Sequence, residues 1–488
     1  MRNHLRFYLG SDYVEVATCA PTLTLLDWLR LDQLRTGTKE GCNEGDCGAC
    51  TVVIGKIEQG KLVYRAVNAC ILFLPMLDGC QILTVEHLKR AGELHPVQRA
   101  MVAFHASQCG FCTPGIVMSL FALWLNENRP LTARVEDVLA GNLCRCTGYR
   151  PIVEAALQMY DFGERAQDRF ILNQPEVEAR LLALQDETTV RVSDGVSTLY
   201  APVKLDDLAA LVQSHAGATL VAGATDVGLW VTKGFRKLEP VILLNRVTAL
   251  REITETDDVI RFGAMVPLTQ VHRVLGAQHP QIAELLRRFG SEQVRNSGTI
   301  GGNIANGSPI GDLPPLLLAL GARLVLRCGE VERVCALDDF FMAYKQQNIS
   351  VGEFVLRIEV PKLKPNALLH ISKISKRFDE DISTVCGAFY LEIEQDRIKV
   401  AHLAYGGMAA TPKRARTAEA ALVGKPWSQH SAADAALVLS MDFAPLSDMR
   451  ASAAYRGTVA ANLIRRFALE TLESGIETRV TRMGGHHA

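Results

Sequence analysis

The chain opens with apolar and polar positions in alternation: LRFYLG at 5–10 and VEVAT at 14–18 carry the period-2 pattern of a short starting hairpin. TLTLLDWLRLDQL at 22–34 changes to helical spacing, and TVVIG at 51–55 with KLVYRAVNACIL at 61–72 returns to strands. Two apolar-periodic helices follow, each opened by a proline, Pro114 ahead of GIVMSLFALW and Pro151 ahead of IVEAAL. Residues 163–187, GERAQDRFILNQPEVEARLLALQDE, are charged and weakly periodic, which predicts a linker with a helical piece. From LYAPVKLDDLAALV at 199–212 onward, strands and helices alternate, and CGAFYLEIE and IKVAHLAYGGM read as strands ahead of the helical stretch AATPKRARTAEAALVG. These shifts of pattern divide the chain into segments 1–88, 89–162, a linker at 163–195, 196–365 and 366–488.

At 488 residues the chain is too long for one ordinary core, so a multidomain α+β protein is expected. Its 48% hydrophobic and 22% charged residues, with a formal net charge of -1, describe a soluble globular protein. The longest apolar runs, such as LPPLLLALGA at 313–322, fall short of a membrane span, and MRNHLRFYLG lacks the apolar segment of a secretion signal. The expectation is therefore a cytoplasmic protein with no membrane partner. A near-neutral charge without a Lys/Arg tract argues against nucleic acid. The tail GGHHA has two histidines and no evident partner set for a metal.

Thirteen cysteines in a reducing compartment are not expected to form disulfides. Cys328, Cys335 and Cys386, with Cys19 and Cys80, stand outside close-spaced sets and read as small buried hydrophobes. Of the remaining eight, Cys42, Cys47, Cys50 and Cys70 form C-x4-C-x2-C with a fourth cysteine after nineteen intervening residues, the plant-type [2Fe–2S] spacing. Three ligands on one loop demand close wrapping, which Gly41, Gly45 and Gly48 permit through positive φ and close N–H approach to sulfur. Structural zinc more often joins two tight pairs from separate knuckles. The flanking strands and helix follow the order of a ferredoxin-like β-grasp.

The second set is Cys109, Cys112, Cys144 and Cys146, in SQCGFCTPG and NLCRCTGYRPI. Each pair precedes a proline-opened helix, so two helix N-termini would face the metal and favour the negative charge of an all-thiolate [2Fe–2S] centre. Zinc is the alternative for this set taken alone. Further on, Gly223, Thr225, Asp226 and Gly228 follow the strand TLV as a loop of small residues able to expose consecutive N–H groups to a pyrophosphate. The loop is not G-x-G-x-x-G, so a Rossmann site is not indicated, and a plain turn is the simpler reading. NSGTIGGNIANGSPIGDLPP at 296–315 holds five glycines, more close backbone approach than ordinary turns need.

The two cysteine sets in this order, with CGFCTPG and NLCRCTGYRPI nearly intact, strongly resemble the molybdenum hydroxylase family, which includes xanthine dehydrogenases, aldehyde oxidases and carbon monoxide dehydrogenases. Both sets and a flavin segment on one chain are similar to the small subunit of its bacterial xanthine-oxidising members. The resemblance implies a β-grasp [2Fe–2S] domain, a four-helix-bundle-like [2Fe–2S] domain, an FAD-binding domain of the vanillyl-alcohol oxidase type and a C-terminal α+β flavoprotein domain. It places Gly223, Ala224, Thr225 and Asp226, then Ser297, Gly301, Gly302, Asn303, Ser308 and Asp312, on FAD, with Phe289 against the flavin ring. Relatives often have Asn where Ala224 stands, so only a backbone contact is implied there. Lys373 and the acids Asp379, Glu380 and Asp381, in a stretch otherwise read as a solvated loop, are placed near the flavin edge, as is Tyr344.

The implied role is electron relay with no catalytic acid or base on this chain. Electrons from a molybdenum cofactor on a large partner subunit would pass the Cys109 set, then the Cys42 set, then FAD, and reduce NAD+, in an (αβ)2 heterotetramer that oxidises hypoxanthine and xanthine to urate. A molybdenum hydroxylase for an aldehyde or another N-heterocycle, and a stand-alone NADH reductase, are the alternatives.

Overall fold

The structure, a computed structural model, describes residues 1–473, 476 and 478, so the GGHHA tail lies outside the described residues. The chain gathers into two compact units: residues 1–251 with 267–269 and 290–302, and residues 252–266 with 270–289 and those from 303 onward.

In the first unit the predicted hairpin forms between Leu5–Leu9 and Asp12–Val16. Leu5, Phe7 and Leu9 are buried while Arg6 and Tyr8 are only half-buried, the alternation that a one-faced strand requires. Gln81–Leu83 joins Leu5–Leu9 in parallel, and Thr51–Glu58 and Lys61–Asn68 complete a five-stranded β-grasp sheet. The predicted helix at 22–34 is short, Leu25–Asp27 running into a π-helical turn Trp28–Asp32.

Four helices follow, Pro96–Ala103, Thr113–Asn126, Thr132–Leu139 and Arg150–Gln158. Thr113–Asn126 is buried at every residue from Gly115 to Leu125, so it is the central helix of this layer, apolar on all sides. Pro114 and Pro151 occupy first-turn positions, as expected. A four-stranded sheet of Val190–Ser193, Thr198–Ala201, Val241–Leu243 and Thr219–Val221 ends this unit.

The stretch read as a linker is more ordered than expected. It forms helices Arg169–Leu172 and Gln174–Ala183, and it is tied down by buried charge. Asp168 accepts from His95 Nε2 at 2.7 Å and from Trp124 Nε1 at 3.1 Å, with both ionisable side chains nearly excluded from water. Its carboxyl is held below the ordinary value: burial opposes this, but the hydrogen bonds and charge from His95, Phe170 N–H and Trp124 outweigh it. Asp168→Ala removes the acceptor of three donors, His95 Nε2, Trp124 Nε1 and Phe170 N–H, and is expected to cost about 3 kcal/mol. A depressed carboxylate contributes stability above its unfolded value near ~4 and loses it as pH falls through the folded value. The gap in thermal midpoint between the wild type and D168A should therefore narrow from pH ~7 to pH ~3, and a constant gap would show that the charge contributes nothing.

The second unit holds an antiparallel sheet of Ile253–Glu255, Val259–Gly263, Phe354–Pro361, Arg323–Cys328 and Val331–Ala336. A second sheet of Leu368–Ile374, Val385–Glu394, Arg397–Gly406 and Lys413–Arg414 includes both strands expected after residue 366. Helices Arg416–Leu422, Gln429–Val438 and Ala453–Leu472 pack on it around Phe389, Tyr405, Trp427 and Phe467. The helical part of 409–424 begins only at Arg416, after the edge strand Lys413–Arg414. Among the described residues no helix is long and apolar enough to cross a membrane.

Candidate functional site

The loop from 41 to 50 brings its thiols together in pairs. Cys42 N–H donates to Cys47 Sγ and Cys47 N–H to Cys42 Sγ, both at 3.3 Å. The Cys42 thiol is lowered to about 5 by a direct hydrogen bond with the Cys47 thiol, against the effect of burial, and Cys47 is correspondingly raised. Cys50 and Cys70 form the second pair: a hydrogen bond between their thiols lowers Cys50 and raises Cys70. Gly45 and Gly48 have φ of 82° and 68°, as expected. Gly41 does not adopt positive φ; it is needed because a Cβ there would sit 2.7 Å from Cys47 Sγ.

The second set pairs in the same way across two loops. Cys109 is lowered by the Phe111 backbone N–H and by the Cys146 thiol, while Cys146 is raised by Cys109. Cys112 is pushed up to about 12 by burial and by Cys144. Cys112 is the N-cap of Thr113–Asn126, and Tyr149 is the N-cap of Arg150–Gln158.

Among the described residues no three or more His, Cys, Asp or Glu side chains converge on one point fit for a single metal ion. Four cysteines in each set supply the all-thiolate donors that a cluster of two irons takes, two to each iron. The residues present fit two all-cysteine [2Fe–2S] clusters.

The two cysteine sites abut. Leu143 N–H donates to Cys47 O at 3.0 Å, so the residue before Cys144 is bonded directly to a residue of the other site. A Cβ on Gly48 would lie 2.0 Å from Gly141 O, and one on Gly115 would lie 2.1 Å from Gly48 O. Asn142, buried, donates to Gly48 O at 3.1 Å and accepts from Ser119 Oγ at 2.6 Å and Gln293 Nε2 at 3.0 Å. Ser119, Asn142 and Gln293 lie far apart along the chain, so no local sequence pattern points to this polar network.

The residues placed on FAD fall in both units, and each group has its own geometry. In the first unit the half-buried strand Thr219–Val221 leads into the loop at 223–226. A Cβ at Gly223 would lie 1.9 Å from Ser297 O, so only glycine lets this loop meet the end of helix Glu292–Ser297. Ala224 is buried with φ of 59°. Asp226 is exposed and accepts from Trp230 Nε1 at 2.9 Å. The second glycine-rich stretch is helical over Ile300–Asn306, with Thr299 Oγ1 accepting from Gly302 N–H at 3.1 Å and Gly301 buried.

In the second unit Asn303 Oδ1 is buried without a hydrogen-bond partner, an acceptor position suited to a ligand donor. Asp312 is buried, ion-paired to Lys373 and accepting from Ser383 Oγ. Lys373 is thus on the buried strand Leu368–Ile374 and not in a solvated loop. Arg288 lies over the Phe378 ring at 4.5 Å and donates to Phe378 O at 3.1 Å, fixing the acidic stretch that follows. Asp381 accepts from Arg377 N–H at 2.8 Å, Phe289 and Ser308 are half-buried, and Tyr344 is exposed. The orphan acceptor of Asn303 fits a bound cofactor. Of the remaining cysteines, Cys19, Cys80, Cys335 and Cys386 are buried as expected, whereas Cys328 is only half-buried.

Four family models match successive parts of the chain. Residues 11–74 match the 2Fe-2S iron-sulfur cluster binding domain, 84–157 the [2Fe-2S] binding domain, 193–363 the FAD binding domain in molybdopterin dehydrogenase, and 370–471 the CO dehydrogenase flavoprotein C-terminal domain. The chain is 34% identical to a xanthine dehydrogenase of Drosophila pseudoobscura pseudoobscura over 88% of its length and 36% of that protein. It is 31% identical to a xanthine dehydrogenase of Emericella nidulans, over 97% of this chain and 39% of that protein. The chain thus spans little more than a third of the curated relatives it matches. Among solved structures it resembles carbon monoxide dehydrogenase from Hydrogenophaga pseudoflava, at 28% identity and a TM-score of 0.52, over 55% of this chain and 94% of that one. Quinoline 2-oxidoreductase from Pseudomonas putida 86 matches over the same shares at 26% identity and a TM-score of 0.50.

Proposed function

We propose that this chain, which belongs to the molybdenum hydroxylase family, is the iron–sulfur and flavin subunit of a xanthine dehydrogenase. It would work in the cytoplasm in an (αβ)2 heterotetramer with a molybdenum-binding partner and use NAD+ as acceptor. The observation that carries the reading is the gathering of eight cysteines into two abutting sites, each of two thiol pairs. When bound, the clusters supply one-electron storage and FAD supplies the two-electron step to NAD+.

The chain's own residues hold and orient these groups. Cys42, Cys47, Cys50 and Cys70 would ligate one cluster and Cys109, Cys112, Cys144 and Cys146 the other. The FAD assignment covers Gly223, Ala224, Thr225, Asp226, Ser297, Gly301 and Gly302 in the first unit, and Phe289, Asn303, Ser308, Asp312, Lys373 and Asp381 in the second. None of these residues is proposed as an acid or base for hydroxylation, which is assigned to the partner.

The purine substrate is supported by relatives at 31–34% identity. The likeness to quinoline and carbon monoxide enzymes favours a second reading, the same relay serving another substrate. The two are separated by supplying the partner subunit. The cofactor-loaded chain alone should pass electrons from NADH to an artificial dye, and xanthine should not bleach its flavin. With the partner, xanthine should drive NAD+ reduction. Xanthine oxidation by the chain alone would refute the relay. Failure to oxidise NADH with FAD bound would replace the acceptor, and a partner complex active only on another heterocycle or an aldehyde would select the second reading.

A further inference from the structure

Thr147, Gly148 and Tyr149 follow Cys146 directly. Thr147 Oγ1 lies 3.2 Å from Cys144 Sγ, and the same oxygen accepts Tyr149 N–H at 3.1 Å. Cys144 N–H in turn donates to Tyr149 Oη at 2.9 Å, closing a ring of three hydrogen bonds around one sulfur. Tyr149 has φ of 68°, a conformation unfavourable for an aromatic residue, and these bonds hold it there.

We propose that Thr147 tunes the reduction potential of the second iron–sulfur centre by donating a hydrogen bond to the Cys144 sulfur. The inference rests on the reading of Cys144 as a cluster ligand. A ligating sulfur is a thiolate without a proton, so in this contact only the hydroxyl can donate. With Tyr149 N–H occupying a lone pair of the oxygen, the Thr147 proton is directed away from the backbone and toward sulfur. Cys144 is 7% exposed, whereas Cys112 is half-buried and Cys109 and Cys146 are exposed, so water competes little for this sulfur and a donor to it counts.

Reduction adds one electron from the reduced substrate side; no bond forms or breaks and no proton moves. A donor stabilises the more negative, reduced state and so raises the potential. The test is a redox titration of the intact, cofactor-loaded protein followed by electron paramagnetic resonance. Thr147→Val keeps the shape and removes the donor. It should make reduction of this centre alone about tenfold less favourable, a shift of about 59 mV to more negative potential. Thr147→Ser keeps the donor and should stay at the wild-type value.

An unchanged midpoint in T147V with both signals intact would overturn the proposal. So would T147S shifting as far as T147V, since packing would then be the cause. If T147V and Thr147→Ala both lose the centre while T147S keeps it, the residue serves assembly and the tuning role is refuted. Absence of a second [2Fe–2S] signal in the wild type would instead refute the underlying reading of the cysteines.

Discussion

Replacing Cys47 by serine is expected to abolish one of two [2Fe–2S] signals and to leave the other, together with the flavin, in place. The reason lies in how the sites are supported. Cys50 and Cys70 belong to the core built on Leu5, Phe7, Trp28 and Ile82, whereas Cys144 belongs to the core built on Phe121, Trp124 and Ile152, with Cys112 packed against it. The bonds between the sites, Leu143 N–H to Cys47 O and Asn142 Nδ2 to Gly48 O, do not involve the Cys47 side chain, so its replacement does not remove them. Iron should fall from about four to about two per chain, and the reduced protein should give a single paramagnetic species. Loss of both signals would mean that the cysteines are divided wrongly between the centres, or that one centre is needed to assemble the other.

Cysteine chemistry was legible from the sequence because its information is local. Spacing within ten residues dictates which sulfurs share a loop, and Pro114 and Pro151 mark the helix starts. The β-grasp hairpin was legible for the same reason, since Leu5, Phe7 and Leu9 show their face by alternation. What escaped depends on partners distant in sequence. Lys373 reads as a solvated cation until Asp312, 61 positions earlier, is seen to pair with it on a buried strand. The stretch at 163–187 reads as a linker with a helical piece because it is charged and weakly periodic. Asp168 is in fact buried against His95, and Asp186 receives Arg2, Arg6 and Arg246. The five glycines at 296–315 point to close backbone approach without showing an element, and Thr299 Oγ1 accepting from Gly302 N–H accompanies the short helix Ile300–Asn306.

Lys373→Met is expected to be the most damaging single change away from the cysteines. Asp312 has its carboxylate shared between Lys373 and Ser383, and all three residues are nearly inaccessible to water. Removing the ammonium leaves a buried carboxylate with one hydroxyl donor, which costs about 3–5 kcal/mol in comparable pairs. The double variant K373M/D312L replaces both charges by apolar groups and should recover most of that stability, since the loss comes from the stranded partner more than from the missing attraction. Unfolding followed by circular dichroism checks the first half of this argument. The flavin absorbance retained after purification checks the second: if the pair also contacts FAD, the double variant should refold without rebinding it. A double variant that is stable and keeps its full complement of FAD would make the pair purely structural and remove both residues from the flavin assignment.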